Sequence, residues 1–264
     1  MLTGLTMNEI IILGAYGTKG EDVGTSAFYI DEKNVLDAGN LLIPLKEKSA
    51  AIENIWLSHS HLDHIIDIAY ILDSYFAART KTLKILGLPQ TLQVVREDFL
   101  NDRVWPDFSK ISLFNSDLKC IEYEEIEYSK KYKLSDDTFI EAYKTDHTVP
   151  SCGYVITKKE DSIVVSSDTY SLDTTIEIIN SRDDIKSLVV ECSFPSRMEK
   201  LAYDSKHLTP KILFEKLKAM KKSNIDIYIN HIKPLFLEEM TEEITRFKGA
   251  YKVKILKDGE KIIF

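Results

Sequence analysis

Short apolar runs rich in Ile, Val and Tyr recur along this 264-residue chain. "EIIIL", "SAFYI", "NVLDA", "NIWLS", "TLKIL", "FIEAYK", "SIVVSS", "SLVVEC" and "DIYIN" read as strands, because β-branched and aromatic side chains suit a pleated surface. "VKILKDGEKIIF" reads as two short strands about a Lys-Asp-Gly-Glu turn, with Asp258-Gly259 as the central pair. Between these runs the period changes. From Ile65 to Arg79, apolar residues recur at Ile65, Ile68, Ala69, Leu72, Tyr75 and Phe76, one face of a helix. Thr209 and Pro210 have the form of an N-cap and a first helical residue ahead of "KILFEKLKAMKK". "LEEMTEEITRF" reads as a third helix. No repeat and no Gly/Ser/Pro-rich linker interrupts the pattern, which predicts one layered α/β domain over residues 1–264.

A hydrophobic content of 44% supports a sizeable core, so folding needs no disulfide or metal staple. Lys+Arg is 34 and Asp+Glu is 42, giving a formal charge of −8. An acidic surface argues against broad attraction to nucleic acid or anionic membrane, although it leaves room for a local positive site. Cys120, Cys152 and Cys192 are odd in number and widely spaced, which suits a reducing cytosol. The start, "MLTGLTMNEIIILG", lacks the basic and apolar regions of a signal peptide, and no run is long enough to span a membrane. A cytoplasmic location is therefore expected.

The histidines change the picture. Three of the six lie in "HSHLDH", as His59, His61 and His64, after the strand "NIWLS". His147 follows "FIEAYKTD", His231 follows "DIYIN", and Asp168 follows "SIVVSS". All lie at or beyond a strand's carboxyl end, the edge where sites assemble in packed α/β sheets. Imidazole nitrogen and carboxylate oxygen suit Zn²⁺ and similar divalent metals. His59 and His61, two apart in an extended loop, can point the same way. A helix starting near Asp63 would turn Asp63 and His64 elsewhere, so one motif can address two neighbouring metals. A loop of solvated histidines is the simpler alternative, but it leaves His147 and His231 at strand ends unexplained.

"HSHLDH" resembles the metal-binding signature of the metallo-β-lactamase fold superfamily. The resemblance continues through Asp37 in "VLDAG", His147, Asp168 in "VVSSDT" and His231 in "YINHIKP". "LGAYGTKGEDVGTSAFYI", "VWPDF", "ECSFPSRMEKLAYDSKHLTP" and "INHIKP" are similar to the class II 3′,5′-cyclic-nucleotide phosphodiesterases. The fold this implies has four layers, αββα, with two mixed sheets sandwiched between helices. The implied site holds two divalent metal ions, with zinc favoured over manganese or iron. His59, His61 and His147 would hold the first metal; Asp63, His64 and His231 the second; Asp168 would bridge them. Asp37 would support the ligand loop. A metal-bridging hydroxide would attack phosphorus in line. Two divalent cations outweigh the carboxylates locally, so an anionic diester can bind within an acidic protein.

The resemblance also assigns His207, in "SKHLTP", to the leaving oxygen as general acid or phosphate contact. Glu191, in "VVECSF", would orient it, and Asp63 counts as catalytic as well as metal-binding. Glu191 could equally be a buried ion-pair partner, and His207 a helix-start residue without function. The chain departs from the family at Ile65-Ile66-Asp67, where a glycine often follows, and at Asn40 after "LDAG". Both put substrate choice in question. The glycines at 14, 17, 20 and 24 match neither dinucleotide nor P-loop spacing, and a turn bordering the pocket is expected. Trp105 and Phe108 could stack on a purine, but a structural corner is favoured. "KKYK" and "KAMKK" read as solvated faces.

The expected activity is hydrolysis of cAMP and/or cGMP to nucleoside 5′-monophosphates. Another phosphodiesterase of this fold, such as a tRNA 3′-processing endonuclease, is the alternative. The net charge and the missing basic arm weigh against a large RNA substrate. The expected partner is a small cyclic nucleotide, with no membrane and no large nucleic acid; a homodimer is the assembly considered. A di-iron oxygen-reducing protein would need a glutamate in place of His61 and a flavin module. A non-catalytic binding module would have lost ligands that this chain retains.

Overall fold

In a strand covered on both faces, successive residues enter different cores. The first strand shows this directly. The computed structural model describes residues 8–264; the signal-peptide reading rests partly on residues 1–7, outside that range. Strand β1 (Glu9–Gly14) is buried throughout. Ile10 and Ile12 pack into one apolar cluster, while Ile11 and Leu13 pack into another.

The chain continues through β2 (Ala27–Tyr29), β3 (Asn34–Leu36), β4 (Asn54–Trp56), β5 (Leu83–Gly87) and β6 (Ile121–Glu125). These build the first sheet. Strands β7 (Lys131–Lys133), β8 (Thr138–Lys144), β9 (Cys152–Lys158), β10 (Asp161–Val165), β11 (Ile185–Glu191), β12 (Asp226–Asn230) and β13 (Val253–Ile255) build the second. The last strand, β14 (Lys261–Ile263), returns to the first. The orders are β14-β1-β2-β3-β4-β5-β6 and β13-β12-β11-β10-β9-β8-β7. Each sheet is antiparallel on one side and parallel on the other, with β3 to β6 and β10 to β13 as the parallel runs.

Phe28, Trp56, Tyr154 and Ile163 help to fill the layer between the sheets. The outer face of the first sheet carries α1 (Leu42–Leu45), α2 (Leu62–Ser74) and α3 (Pro89–Val94), with Leu41, Ile65, Ile68 and Leu72 buried there. The outer face of the second carries α4 (Asp173–Ser181), α6 (Pro210–Leu217) and α7 (Leu237–Phe247). Helix α5 (Glu199–Asp204) precedes α6. The layering is αββα, as expected. Among the described residues, no helix is long and apolar enough to cross a membrane.

Several local expectations need correction. The two strands of "VKILKDGEKIIF" do not pair: β13 joins β12 and β14 joins β1. The Asp258-Gly259 turn carries the chain from one sheet to the other. There the Asp258 carboxylate accepts the Ala15 and Gly24 N–H groups at 2.8 and 2.6 Å, anchoring the glycine loop. The helix expected from Ile65 begins at Leu62 and ends at Ser74, followed by a 3₁₀ turn at Phe76–Ala78. "KKYK" contains the short edge strand β7, whose exposed lysines suit an unpaired sheet margin. Strand β9, absent from the runs read as strands, is buried at every position. Thr209 does cap α6, its side chain accepting the Ile212 N–H.

Candidate metal centre and active site

The parallel runs of both sheets end at one edge, and the charged and histidine side chains gather there. Strand β3 ends at Leu36, and Asp37 turns into the left-handed region at φ 57°. Such backbone is uncommon outside glycine, and aspartate is among the residues that tolerate it. The turn aims the carboxylate at the end of β4. Asp37 Oδ1 accepts the Ser58 N–H at 2.8 Å, and Oδ2 accepts both the Ser58 hydroxyl at 2.8 Å and the His64 Nδ1–H at 2.7 Å. The Ser58 proton is thereby committed, so Ser58 Oγ accepts from His59 Nδ1, 3.0 Å away. One carboxylate sets the tautomer of two histidines, leaving the Nε2 lone pairs of His59 and His64 facing the site.

The second sheet repeats the arrangement. Glu191 ends β11, and its Oε2 accepts the Ser193 hydroxyl at 2.9 Å. Ser193 Oγ then accepts from His231 Nδ1 at 2.9 Å. Glu191 Oε1 lies 2.9 Å from His207 Nδ1. His231 is itself at φ 64°, with its N–H donated to Ala15 O at 2.6 Å. Gly17 passes so close that a Cβ there would lie 2.4 Å from His231 O, so the glycine loop borders the site.

Two groups converge. His59, His61, His147 and Asp168 form one and Asp63, His64 and His231 the other, each with its donor atoms within 4.8 Å of one another. Helix α2 separates them as expected, since Asp63 and His64 stand in its first turn while His61 is still extended. Asp168 lies between the groups. Its Oδ2 is 3.7 Å from His59 Nε2 and 3.4 Å from His64 Nε2, and its Oδ1 is 3.3 Å from His231 Nε2. His147 donates its Nδ1–H to Lys206 O at 3.2 Å and turns Nε2 to within 3.1 Å of His61 Nδ1. His207 stacks on His231 with centroids 5.3 Å apart and meets His147 edge-on at 5.1 Å. With Asp168 and His231 it also forms a third close group.

The donors fit divalent metal. His59 Nε2 is buried with no hydrogen-bond partner, an arrangement that is costly unless something else accepts its lone pair. Nitrogens face nitrogens elsewhere, with His64 Nε2 only 3.4 Å from His231 Nε2. Burial lowers the pKa of His59 and His61, and lowers His147 to about 4, so these rings are neutral, the form that binds metal. Burial opposes the charge on Asp168, but His231 and His64 outweigh it and hold the carboxylate well below its usual range. Burial likewise depresses His207, yet the Glu191 carboxylate overrides it and lifts the ring to about 9.

The chain's similarities agree with this geometry. Residues 33–252 match the family model for class-II cAMP phosphodiesterases. The chain belongs to that family. It is 26% identical to 3′,5′-cyclic-nucleotide phosphodiesterase 1 of Saccharomyces cerevisiae, over 86% of this chain and 76% of that protein. The unliganded yeast PDE1 crystal structure superposes with a TM-score of 0.82 at 18% identity, covering 98% of this chain and all of that one. The metallo-β-lactamase fold protein YhfI from Bacillus subtilis gives 0.71 at 18% identity, over 96% and 98% of the two chains. Ribonuclease Z of Methanococcus aeolicus is 31% identical, over only 41% of this chain and 31% of its own length. This class-II family member is a phosphodiesterase with the metallo-β-lactamase fold.

Two residues singled out in the sequence, Asp67 and Asn40, make buried hydrogen bonds to backbone. Asp67 is buried in α2, and its Oδ2 accepts the Leu41 and Leu42 N–H groups at 2.5 and 2.8 Å. It fastens the loop after Asp37 where α1 begins. Asn40 donates to Leu13 O at 2.6 Å and packs against Gly24, fixing the glycine loop. Phe108 is buried and Trp105 packs partly buried behind the first sheet, so the structural corner holds. The three cysteines are buried and free. Sequence reasoning missed Ser58 and Ser193. Their signal was position: each stands two residues past a strand end, Ser58 next to His59 and Ser193 two after Glu191.

Proposed function

We propose that this phosphodiesterase hydrolyses a 3′,5′-cyclic nucleotide, cAMP or cGMP, to the nucleoside 5′-monophosphate. His59, His61 and His147 would hold one divalent cation, Asp63, His64 and His231 a second, and Asp168 both, with zinc favoured by the nitrogen-rich donors. Such a pair supplies Lewis acidity toward phosphate oxygens and activates water at neutral pH. The observation carrying the reading is the Glu191–His207 pair beside both donor groups. With its Nδ1 engaged by Glu191, His207 keeps Nε2 for the substrate and delivers the proton that the departing 3′ oxygen needs as its bond to phosphorus breaks. Asp63 belongs to the second donor set and flanks the reacting phosphate.

The test is a panel of cAMP, cGMP, linear dinucleotides, bis(p-nitrophenyl) phosphate and pre-tRNA on metal-loaded protein, with metal content measured alongside. Two metals per chain and preferred turnover of a cyclic nucleotide are expected. Equal or better cleavage of pre-tRNA would favour the endonuclease reading, which the ribonuclease Z similarity keeps in the comparison. His207→Ala should retain metal and lose turnover by about 10²- to 10⁴-fold. A variant as active as the parent would remove the proton-donor role.

A further inference from the structure

Beside the metal centre lies a groove of about 700 Å³, of a size that holds small ligands. One end is His147. The walls come from three loops: the start of α3 with Pro89 and Gln90, the loop after β6 with Tyr128, and the β8–β9 loop with Val149 and Pro150. The groove therefore spans both sheets, and the loop that presents His147 also forms one wall.

That wall is fixed before any ligand arrives. Thr145 and Ser151 bond across the base of the β8–β9 loop through their hydroxyls at 2.6 Å. The Tyr128 hydroxyl donates to Ser151 O at 3.1 Å, which ties the aromatic ring to the same loop. The ring itself remains 39% exposed, an apolar face held open to solvent rather than spent on the core. The carboxylates nearby are already paired, Glu127 with Lys130 at 2.8 Å and Asp146 with Lys206 at 3.3 Å. What the groove offers is an aromatic ring, proline and valine surface, the Lys144 ammonium, and the Gln90 carboxamide, which both donates and accepts. Neutral heteroaromatic rings suit those groups, because stacking needs an aromatic face and ring edges need mixed donors and acceptors.

We infer that this groove is the nucleobase subsite, with Tyr128 as its stacking platform and Gln90 reading the base edge. The inference rests on the cyclic-nucleotide reading above and extends it to the recognition of the base. A cyclic phosphate bound next to His147 would direct the sugar and base along the groove.

The test compares cAMP with ribose 3′,5′-cyclic phosphate lacking a base, on metal-loaded wild type, Tyr128→Ala, Tyr128→Phe and Gln90→Ala. Wild type should prefer cAMP in kcat/KM. Tyr128→Ala should cut that preference about tenfold, mainly through KM, as loss of one base–aromatic stack predicts. Tyr128→Phe, which keeps the ring, should retain most of it, and Gln90→Ala should change the cAMP-to-cGMP ratio. If Tyr128→Ala does not fold, Tyr128→Leu reads the same loss of the aromatic face. An unchanged preference in the Tyr128 variants, or a wild type indifferent to the base, would overturn the subsite while leaving the phosphodiesterase reading standing. Wild type that cleaves neither cyclic phosphate would overturn both.

Discussion

The two sheets meet the site with the same device put to different uses. On the first, Asp37 and Ser58 fix His59 and His64, one from each of the two groups that could hold a metal ion. On the second, Glu191 and Ser193 fix His231, a donor, and His207, which carries the proposed proton. In both, a strand-end carboxylate takes the serine proton, and the serine oxygen then dictates a histidine tautomer. The contrast teaches that an orienting shell can be recognised by where protons must go, whatever the oriented ring then does.

Removing the first device should have the largest effect. Asp37→Ala releases a donor of each group, so metal content should fall below one ion per chain and kcat/KM by about a thousandfold, since each lost orienting partner costs about 10- to 100-fold. Near-normal metal content in this variant would end the claim that Asp37 serves both groups. Glu191→Gln should separate the two devices. It keeps a hydrogen-bond acceptor for Ser193 but removes the charge facing His207, so two metals should stay bound while kcat falls about 100-fold. Parallel loss of metal would show that the second device is no different from the first. Ser58→Ala and Ser193→Ala should each weaken metal binding about tenfold, readable by chelator competition, with only the latter also lowering kcat for metal-saturated enzyme.

The smallest effect lies at the opposite end of the sandwich. There Lys158 is buried and donates to Glu9 O and Ile30 O at 2.6 Å, linking the second sheet to the first. Burial pushes its ammonium down to about 8. The unfolded chain then binds more protons than the folded one between about pH 8 and the ordinary lysine value, so this residue's contribution to stability rises with pH across that window. Urea midpoints of wild type should therefore gain on those of Lys158→Met from pH 8 to pH 10, with cyclic-nucleotide turnover of the variant unchanged at neutral pH. A constant difference would place the lysine's proton outside the folding equilibrium.

How much was legible in advance follows the same division. Spacing along the chain is a covalent property, so the clustering of His59, His61, Asp63 and His64 in "HSHLDH" was visible without tertiary structure. His147, Asp168 and His231 were legible because each follows an apolar run that can be read as a strand. Strand β9 was not among the runs read as strands; it is buried at every position and keeps Thr157 and Lys158 buried through hydrogen bonds. The Asp258-Gly259 turn misled because turn chemistry marks a change of direction without saying which sheet receives the next strand.

By itself, then, the sequence determined the donor types, their order and their placement after strands, together with an α/β core. Tertiary structure alone decided which donors share a group, which nitrogen each histidine presents, and that Asp67 and Asn40 brace loops. Those outcomes depend on contacts such as Asp37 to His64 and Ser193 to His231, between residues 27 and 38 positions apart. Only the pairing of β3 with β4 and of β11 with β12 brings these residues within hydrogen-bond reach, and no local pattern encodes that distance.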